Sequence, residues 1–211
     1  MTSAEPSDAN LVAATLAGEE SAFTALVSRH KTWLYRYIHR YVRDETEAQD
    51  VLQESLIAAW RALKSYDPNR PLEFWLRRIA LNKCRDRARR LAVRRILLPW
   101  SGGVRETAAA DPAPSALESL AESEDLKRAR DAIDALPARL RDPLILTAIE
   151  GLSQADAAEI LGLTVKAVEG AVYRAKKQLT ETLKLEGSQV ATRRAAKPPE
   201  PLFRRIDSIT W

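Results

Sequence analysis

The residues between Ser153 and Arg174 have the pattern of a helix-turn-helix. Ser153 caps a short helix that Gly162 ends, and Thr164 caps a second helix after a turn of about three residues. One side of the second helix is apolar at helical spacing, which predicts a buried stripe: Val165, Val168, Val172, Ala175, Leu179 and Leu183. The other side carries residues that an α-helix can bring into the major groove of DNA: Lys166, Glu169, Gly170, Tyr173, Arg174 and Lys177.

Position along this helix suggests which part of DNA each side chain reaches. Lys166 and Glu169 lie near its N-terminus and suit base edges, whereas the long cations further along suit phosphates. A helical hairpin with a solvated charged face is the alternative interpretation. The agreement of caps, turn and stripe favours DNA binding.

A second candidate is the strongly basic segment from Arg77 to Arg95, which holds nine basic residues and one acid, Asp86. Acids at i±4 do not balance this charge, so the segment favours an external polyanion over an ordinary solvated face. The loop before it, Ser65–Arg70, has side chains that suit stacking on, and hydrogen bonding to, an unstacked base. Taken alone, that loop is read more simply as a connector.

A third candidate is the acidic face formed by Asp50, Gln53 and Glu54, with Glu47 one turn earlier. An acidic face beside a basic helix suggests a second macromolecular partner. A solvated face is an equally good interpretation of these residues alone.

The remaining chemistry-bearing residues have structural explanations. Four aromatic residues lie on or beside apolar stripes and are predicted to be core, with Trp75 the candidate for stacking on nucleic acid: Trp33, Trp60, Phe74 and Trp75. Cys84 is predicted to be a packed residue, with a redox sensor as the alternative. His30 and His39 are predicted to be surface or packing residues.

Composition bounds the function. One cysteine among 211 residues excludes an internal disulfide framework, and two histidines are too few for a zinc site unless carboxylates complete it. The chain lacks a phosphate-binding loop and a nucleophile motif, so neither an enzyme nor a cofactor is expected. It also lacks an apolar run of about 20 residues and a signal peptide, so we expect a cytoplasmic protein without membrane insertion.

The helical periodicity and the low glycine content predict an all-α fold of two small helical domains joined by a flexible linker, the second containing the helix-turn-helix. The predicted segments are an N-terminal segment (1–19), polar and frayed over residues 1–10, a first domain (20–95), an acidic linker (96–124), a second domain (125–185) and a tail without stable helix (186–211). Within the domains, helices are expected to begin at Asp44–Glu45, at Pro71–Leu72 and at Asp142–Pro143. The last helix is expected to end near Leu183.

Several of these segments together resemble the extracytoplasmic-function type of bacterial RNA polymerase sigma factor. The resemblance is carried in order by Thr46–Trp60 (TEAQDVLQESLIAAW), Phe74–Asn82 (FWLRRIALN), Leu136–Arg141 (LPARLR) and Glu150–Gly162 (EGLSQADAAEILG). It implies that residues 20–95 bind the polymerase and the −10 promoter element, and that residues 125–185 bind the −35 element. It also implies as partners the polymerase core (β′ clamp helices and β flap), promoter DNA and an anti-sigma factor.

The resemblance assigns roles by position. Asp50, Gln53 and Glu54 match the motif that docks on the β′ clamp helices. The −10 set comprises Ser65, Tyr66, Asp67, Asn69, Arg70, Asn82 and Arg85. The −35 set comprises Thr164, Lys166, Glu169, Gly170, Tyr173, Arg174 and Lys177. Gln49 and Gly170-Ala171 depart from common family residues.

The expected function is that of a promoter-specificity subunit without catalysis of its own. The alternative is a stand-alone helix-turn-helix regulator of duplex DNA, which usually dimerises on a two-fold site. A dimerisation element is not evident in the sequence.

Overall fold

The computed structural model describes residues 6–97 and 124–196, which contain eight α-helices and no strand. Short 3₁₀ and π-helical segments follow α3 and α6 at Leu63–Ser65 and Ile145–Ile149. The helices are α1 (Asp8–Leu16), α2 (Glu20–His39), α3 (Glu45–Ala62), α4 (Leu72–Leu97), α5 (Glu124–Asp134), α6 (Ala138–Leu144), α7 (Gln154–Leu161) and α8 (Val165–Ala196). The predicted all-α fold is confirmed. Most of the predicted linker (98–123), the end of the predicted tail (197–211) and residues 1–5 lie outside the described residues.

The described residues form two compact units. The first comprises residues 6–97 and 153–165, and the second comprises residues 124–152 and 166–196. Every helix within the described ranges is too short or too polar to cross a bilayer.

The core of the first unit is built mainly by α2, α3 and α4. Leu34 and Ile38 of α2 are completely buried. α3 begins where the sequence predicts, because the Asp44 carboxylate accepts a hydrogen bond from the Glu47 N–H at 2.8 Å. α4 begins directly after Pro71, whose fixed φ favours a helix start.

Ser7 caps a helix that begins at Asp8, so the prediction of fraying was wrong for residues 7–10. The Ser7 side chain accepts a hydrogen bond from the Asn10 N–H and caps α1. Asp8 then holds α1 to α2, with its carboxylate 2.6 Å from the Arg29 guanidinium and 2.9 Å from Nε2 of His30. These partners lie more than 20 residues away in sequence, where local periodicity gives no signal.

The aromatic residues predicted to be core are less buried than expected. Trp60 is 46% exposed and packs edge-to-face with the Phe23 ring, with centroids 4.7 Å apart. Trp33, Phe74 and Trp75 are half-buried. Large amphipathic rings fit the border of a small domain, where one face packs and the other meets water.

In the second unit, α6 begins at Ala138, four residues before the predicted start at Asp142–Pro143. Pro143 lies inside the helix, and Asp142 is fully buried. The proline removes one N–H from the helical ladder, and the chain continues as the π-helix, where the Glu150 N–H donates to the Ile145 carbonyl. A proline after an aspartate usually marks a helix start, which explains the error.

The last helix is longer than predicted. α8 continues to Ala196 instead of ending near Leu183, so residues 186–196 of the predicted tail are helical. This stretch is rich in helix-forming residues and lacks proline until Pro198. Only a single glycine, Gly187, interrupts it, and one glycine does not end a helix.

Candidate nucleic-acid and polymerase interfaces

The turn between α7 and α8 has the local geometry that the sequence predicts. Ser153 accepts a hydrogen bond from the Asp156 N–H at 3.1 Å, while the Asp156 carboxylate accepts one from the Ser153 N–H at 3.3 Å, a capping box. Gly162 ends α7 in the left-handed region at φ 67°, where a side chain is disfavoured. Three residues, from Gly162 to Thr164, then lead into α8.

The polar face predicted on α8 is open to solvent. Lys166, Glu169, Tyr173, Arg174 and Lys177 are exposed, Tyr173 at 70%, and Gly170 is half-buried. Thr164, at the position before the helix, is also exposed. An exposed row of this kind has the width and the polar groups for a major groove.

The buried side of α8 is shorter than the predicted stripe. Val168, Ala171, Val172 and Ala175 are buried and Leu179 is half-buried. Val165 and Leu183 were predicted to be buried but are 48% and 37% exposed. A side chain is buried only if it is apolar and another part of the fold covers it. Periodicity shows where the apolar side chains lie but not what covers them.

The loop before α4 is held by its own polar side chains. The Tyr66 hydroxyl donates to the Arg70 carbonyl at 2.6 Å, and the Asp67 carboxylate accepts hydrogen bonds from the N–H and the side-chain amide of Asn69, both at 3.0 Å. The Arg70 Nε lies 3.6 Å from the other Asp67 oxygen. Ser65 is the last residue of the 3₁₀ helix, with its hydroxyl donating to the Ala62 carbonyl at 2.7 Å. The predicted −10 loop is therefore a preformed turn that begins at Tyr66.

Tyr66 is also packed against a second aromatic residue, Trp75, with ring centroids 5.7 Å apart. Burial raises the pKa of the Tyr66 phenol, and the nearby charges of Asp8 and Asp67 raise it further. The hydroxyl therefore stays protonated at neutral pH and remains the donor that closes the loop.

Several cations of the basic helix α4 form ion pairs with acids of α3, which the sequence of α4 alone does not reveal. Glu54 of α3 lies 4.0 Å from Lys83 and 3.6 Å from Arg90, and Glu47 pairs with Arg87. Two further pairs lie within α4, Glu73–Arg77 at 3.3 Å and Asp86–Arg89. The expectation that this charge lacks internal balance was therefore wrong, because α3 supplies carboxylates from outside the helix. Of the predicted −10 residues on α4, Asn82 is exposed and Arg85 is half-buried.

The acidic face of α3 divides into two parts. Asp50 and Gln53 are exposed, whereas Glu54 is half-buried and faces cations of α4. Arg87, beside Glu47, has its pKa lowered by burial, but it stays charged in water because the unperturbed value is so high. Of the three predicted polymerase contacts, Asp50 and Gln53 are therefore the more exposed to solvent.

Sequence reasoning missed a buried network that links α1 to α4. His30 is only 4% exposed. Its Nδ1 accepts from the Trp33 indole at 2.9 Å, so its Nε2 carries the proton that is donated to Asp8. The Arg77 guanidinium lies over the Trp33 ring at 4.6 Å. Cys84 is buried, in agreement with its predicted packing role.

Comparison with known proteins identifies the family. Residues 26–94 match the family model described as Sigma-70 region 2, and residues 126–179 match the one described as Sigma-70, region 4. The RNA polymerase sigma factor CnrH of Cupriavidus metallidurans is 38% identical over 187 residues, which cover 85% of this chain and 95% of CnrH. The ECF RNA polymerase sigma factor SigM of Mycobacterium tuberculosis is 30% identical, covering 90% of this chain and 91% of SigM. The chain belongs to the extracytoplasmic-function family of RNA polymerase sigma factors.

Solved structures agree with this assignment. A structure of CnrH in complex with the cytosolic domain of CnrY has 34% identity and a TM-score of 0.57, covering 84% of this sigma factor and 97% of CnrH. The sigma factor RpoE of Bartonella quintana, in complex with the anti-sigma factor NepR, has 26% identity and a TM-score of 0.58, with coverages of 77% and 96%.

The matched regions connect the helices to a function. Region 2 extends from within α2 to near the end of α4, and region 4 extends from α5 into α8. The sigma factor directs RNA polymerase to promoters. The stand-alone regulator is not favoured, because the family match includes both regions and not the helix-turn-helix alone. α1 precedes the region 2 match, although Asp8 ties it to α2.

Proposed function

We propose that this sigma factor reads the −35 element with the exposed face of α8 and captures the −10 element with the Tyr66–Arg70 loop, Asn82 and Arg85. The α8 face is the observation that carries the proposal. Its polar residues are exposed while Val168, Ala171, Val172 and Ala175 are buried on the other side, which is the arrangement of a helix seated on its domain and open to a groove. The preformed loop supports the second half, because a fixed turn loses little entropy when it binds an unstacked base.

We further propose that Asp50 and Gln53, with Glu54 behind them, dock on the β′ clamp helices, and that region 4 contacts the β flap. The exposed carboxylate of Asp50 supports the first contact, since it offers an acceptor to basic residues of a partner. Glu54 has a divided role in this proposal, because it lies close to both Lys83 and Arg90.

Regulation by an anti-sigma factor is part of the proposal. CnrH was solved with the cytosolic domain of CnrY and RpoE with the anti-sigma factor NepR, and both resemble this sigma factor over most of their length. A partner that covers the α3 face or the α8 face would block polymerase or promoter binding. We place this activity in the cytoplasm, where polymerase and promoters are found.

The test is in vitro transcription with core polymerase, this sigma factor and a promoter library, followed by mapping of start sites. We expect specific initiation that requires the sigma factor. Asp50→Lys should abolish most of it by weakening polymerase binding, whereas Glu45→Lys, the same charge change on another side of α3, should have little effect. Asp50 is the cleaner choice, because Glu54→Lys would also place a cation beside Lys83 and Arg90. Failure of the wild-type chain to support any initiation would contradict the proposal.

A further inference from the structure

Gly170 stands in the middle of the polar face of α8. Glycine is the least favourable helix residue after proline, so its presence in a helix interior calls for a packing or functional reason. The structure provides a close neighbour as that reason. A Cβ built on Gly170 would lie 3.2 Å from one terminal nitrogen of Arg174 and 3.8 Å from the other.

The Arg174 side chain therefore runs back along the helix. Side chains of an α-helix lean toward its N-terminus, and residue i+4 lies one turn above residue i on the same face. The guanidinium of Arg174 consequently lies at the level of Gly170. A Cβ at position 170 would crowd the guanidinium, which would have to shift by a few tenths of an ångström.

The Arg174 guanidinium therefore lies nearer the N-terminal end of α8, where the side chains suit contacts with base edges. Lys166 and Glu169 are exposed at that end, within one turn of Gly170. A planar guanidinium offers two parallel donors, and its commonest specific contact in the major groove is with O6 and N7 of guanine. A phosphate contact, in contrast, would favour an extended side chain that points away from the helix.

We propose that Gly170 and Arg174 act as one specificity-determining pair. The absent side chain at position 170 lets the Arg174 guanidinium read a guanine in the −35 element. This inference rests on the proposed function, because it needs α8 to enter the −35 groove. It adds a role for the glycine, which has no side chain to contact DNA itself.

The experiment is a double-mutant cycle with holoenzyme assembled from core polymerase and the full chain. Promoter variants with every single base change in the −35 element are ranked by initiation for wild type, Arg174→Ala, Gly170→Ala and the double variant. Arg174→Ala should reduce discrimination at one guanine position about tenfold, within the range of a bidentate contact. Gly170→Ala should reduce it about threefold at the same position, since the guanidinium must shift. In the Arg174→Ala background, Gly170→Ala should have no further effect on discrimination.

Two controls separate specificity from folding and from general affinity. Lys176→Ala, at an exposed cation outside the predicted −35 set, should leave the preferences unchanged. Thermal unfolding should show that Gly170→Ala is at least as stable as wild type, because alanine favours the helix.

Two results would overturn the inference. One is an Arg174→Ala variant that initiates less at every promoter without a change in base preference, as expected of a phosphate contact. The other is a Gly170→Ala effect that persists without Arg174. Either would leave the proposed function standing, whereas a wild-type holoenzyme that initiates nowhere in the library would refute the proposed function itself.

Discussion

α4 and α8 both present cations, but the protein holds the two helices differently. In α4 the buried residues lie in the first half, between Leu72 and Cys84, and none of residues 85–94 is buried. The basic second half is held by ion pairs, Arg87 with Glu47 and Arg90 with Glu54. In α8 the buried residues lie directly opposite the cations.

The difference predicts different binding energetics. An ion-paired cation of α4, such as Arg87 or Arg90, must first give up a carboxylate before it contacts a phosphate, so part of the gain in binding free energy is cancelled. An exposed cation of α8 exchanges water and counterions for the phosphate and contributes its full counterion release. Counting basic residues therefore overstates the affinity of α4 relative to α8.

The largest effect should come from removing the apolar support of α8. Val168 is completely buried, so Val168→Asp places an unpaired charge in the core and should reduce the free energy of unfolding by about 3 kcal/mol or more. Chemical denaturation of the full chain measures this loss. Val165→Asp is the matched control, since the same substitution at an exposed position of the same helix should cost little. Equal losses for both variants would mean that burial does not support α8.

Salt dependence tests the comparison directly. Lys177→Ala should reduce the slope of log affinity against log salt for −35 duplex DNA by about one, the contribution of one phosphate contact. Arg90→Ala should change the slope for −10 single-stranded DNA by less, because Glu54 already offsets part of that charge. Fluorescence anisotropy with the full chain measures both slopes. A larger change for Arg90→Ala than for Lys177→Ala would reverse the comparison.

Neutralising Glu54 should strengthen binding to −10 single-stranded DNA, whereas removing Arg90 should weaken it. Glu54→Gln frees Lys83 and Arg90, so the full chain should bind −10 single-stranded DNA up to about fivefold more tightly, as expected from a surface ion pair of at most about 1 kcal/mol. Asp50→Asn makes the same charge change at an exposed position of α3 and serves as the control. An equal gain for both variants would point to net charge and not to the ion pairs.

The sequence predicts a structural feature well when the residues that determine it are close together in the chain. The N-cap at Ser153, the end of α7 at Gly162 and the start of α3 after Asp44 follow from neighbouring residues and are confirmed. The pairs of Glu54 with α4 and of Asp8 with His30 join residues more than 20 positions apart, so periodicity does not reveal them. The start of α6 was wrong for a local reason, because Pro143 is accommodated inside a helix and does not begin one.

The individual roles of the candidate site residues remain predictions for a different reason. An exposed residue on a polar face satisfies many functions equally well, and the fold does not choose among them. The close approach of Arg174 to Gly170 is seen only in the three-dimensional structure, since it depends on the direction of a side chain and not on spacing alone.

The smallest expected effect concerns the Tyr66–Arg70 loop, which comes just before the ion-paired cations of α4. The pKa of Tyr66 is raised in the folded protein by burial and by Asp8 and Asp67. The folded state therefore holds the phenolic proton more tightly than the unfolded chain does. The stabilisation is fully present below about pH 10, the unfolded pKa, and is lost as the pH rises through the folded pKa.

Tyr66→Phe should remove this part of the alkaline destabilisation while also removing the hydrogen bond to the Arg70 carbonyl. Asp8→Asn should lower the Tyr66 pKa, because it removes a negative charge that raises it, and should keep that bond, in which Asp8 takes no part. Phenolate absorbance, taken as the difference between wild type and Tyr66→Phe in each background, isolates this tyrosine. If its pKa stays the same after Asp8→Asn, the charge of Asp8 has no electrostatic influence on the loop.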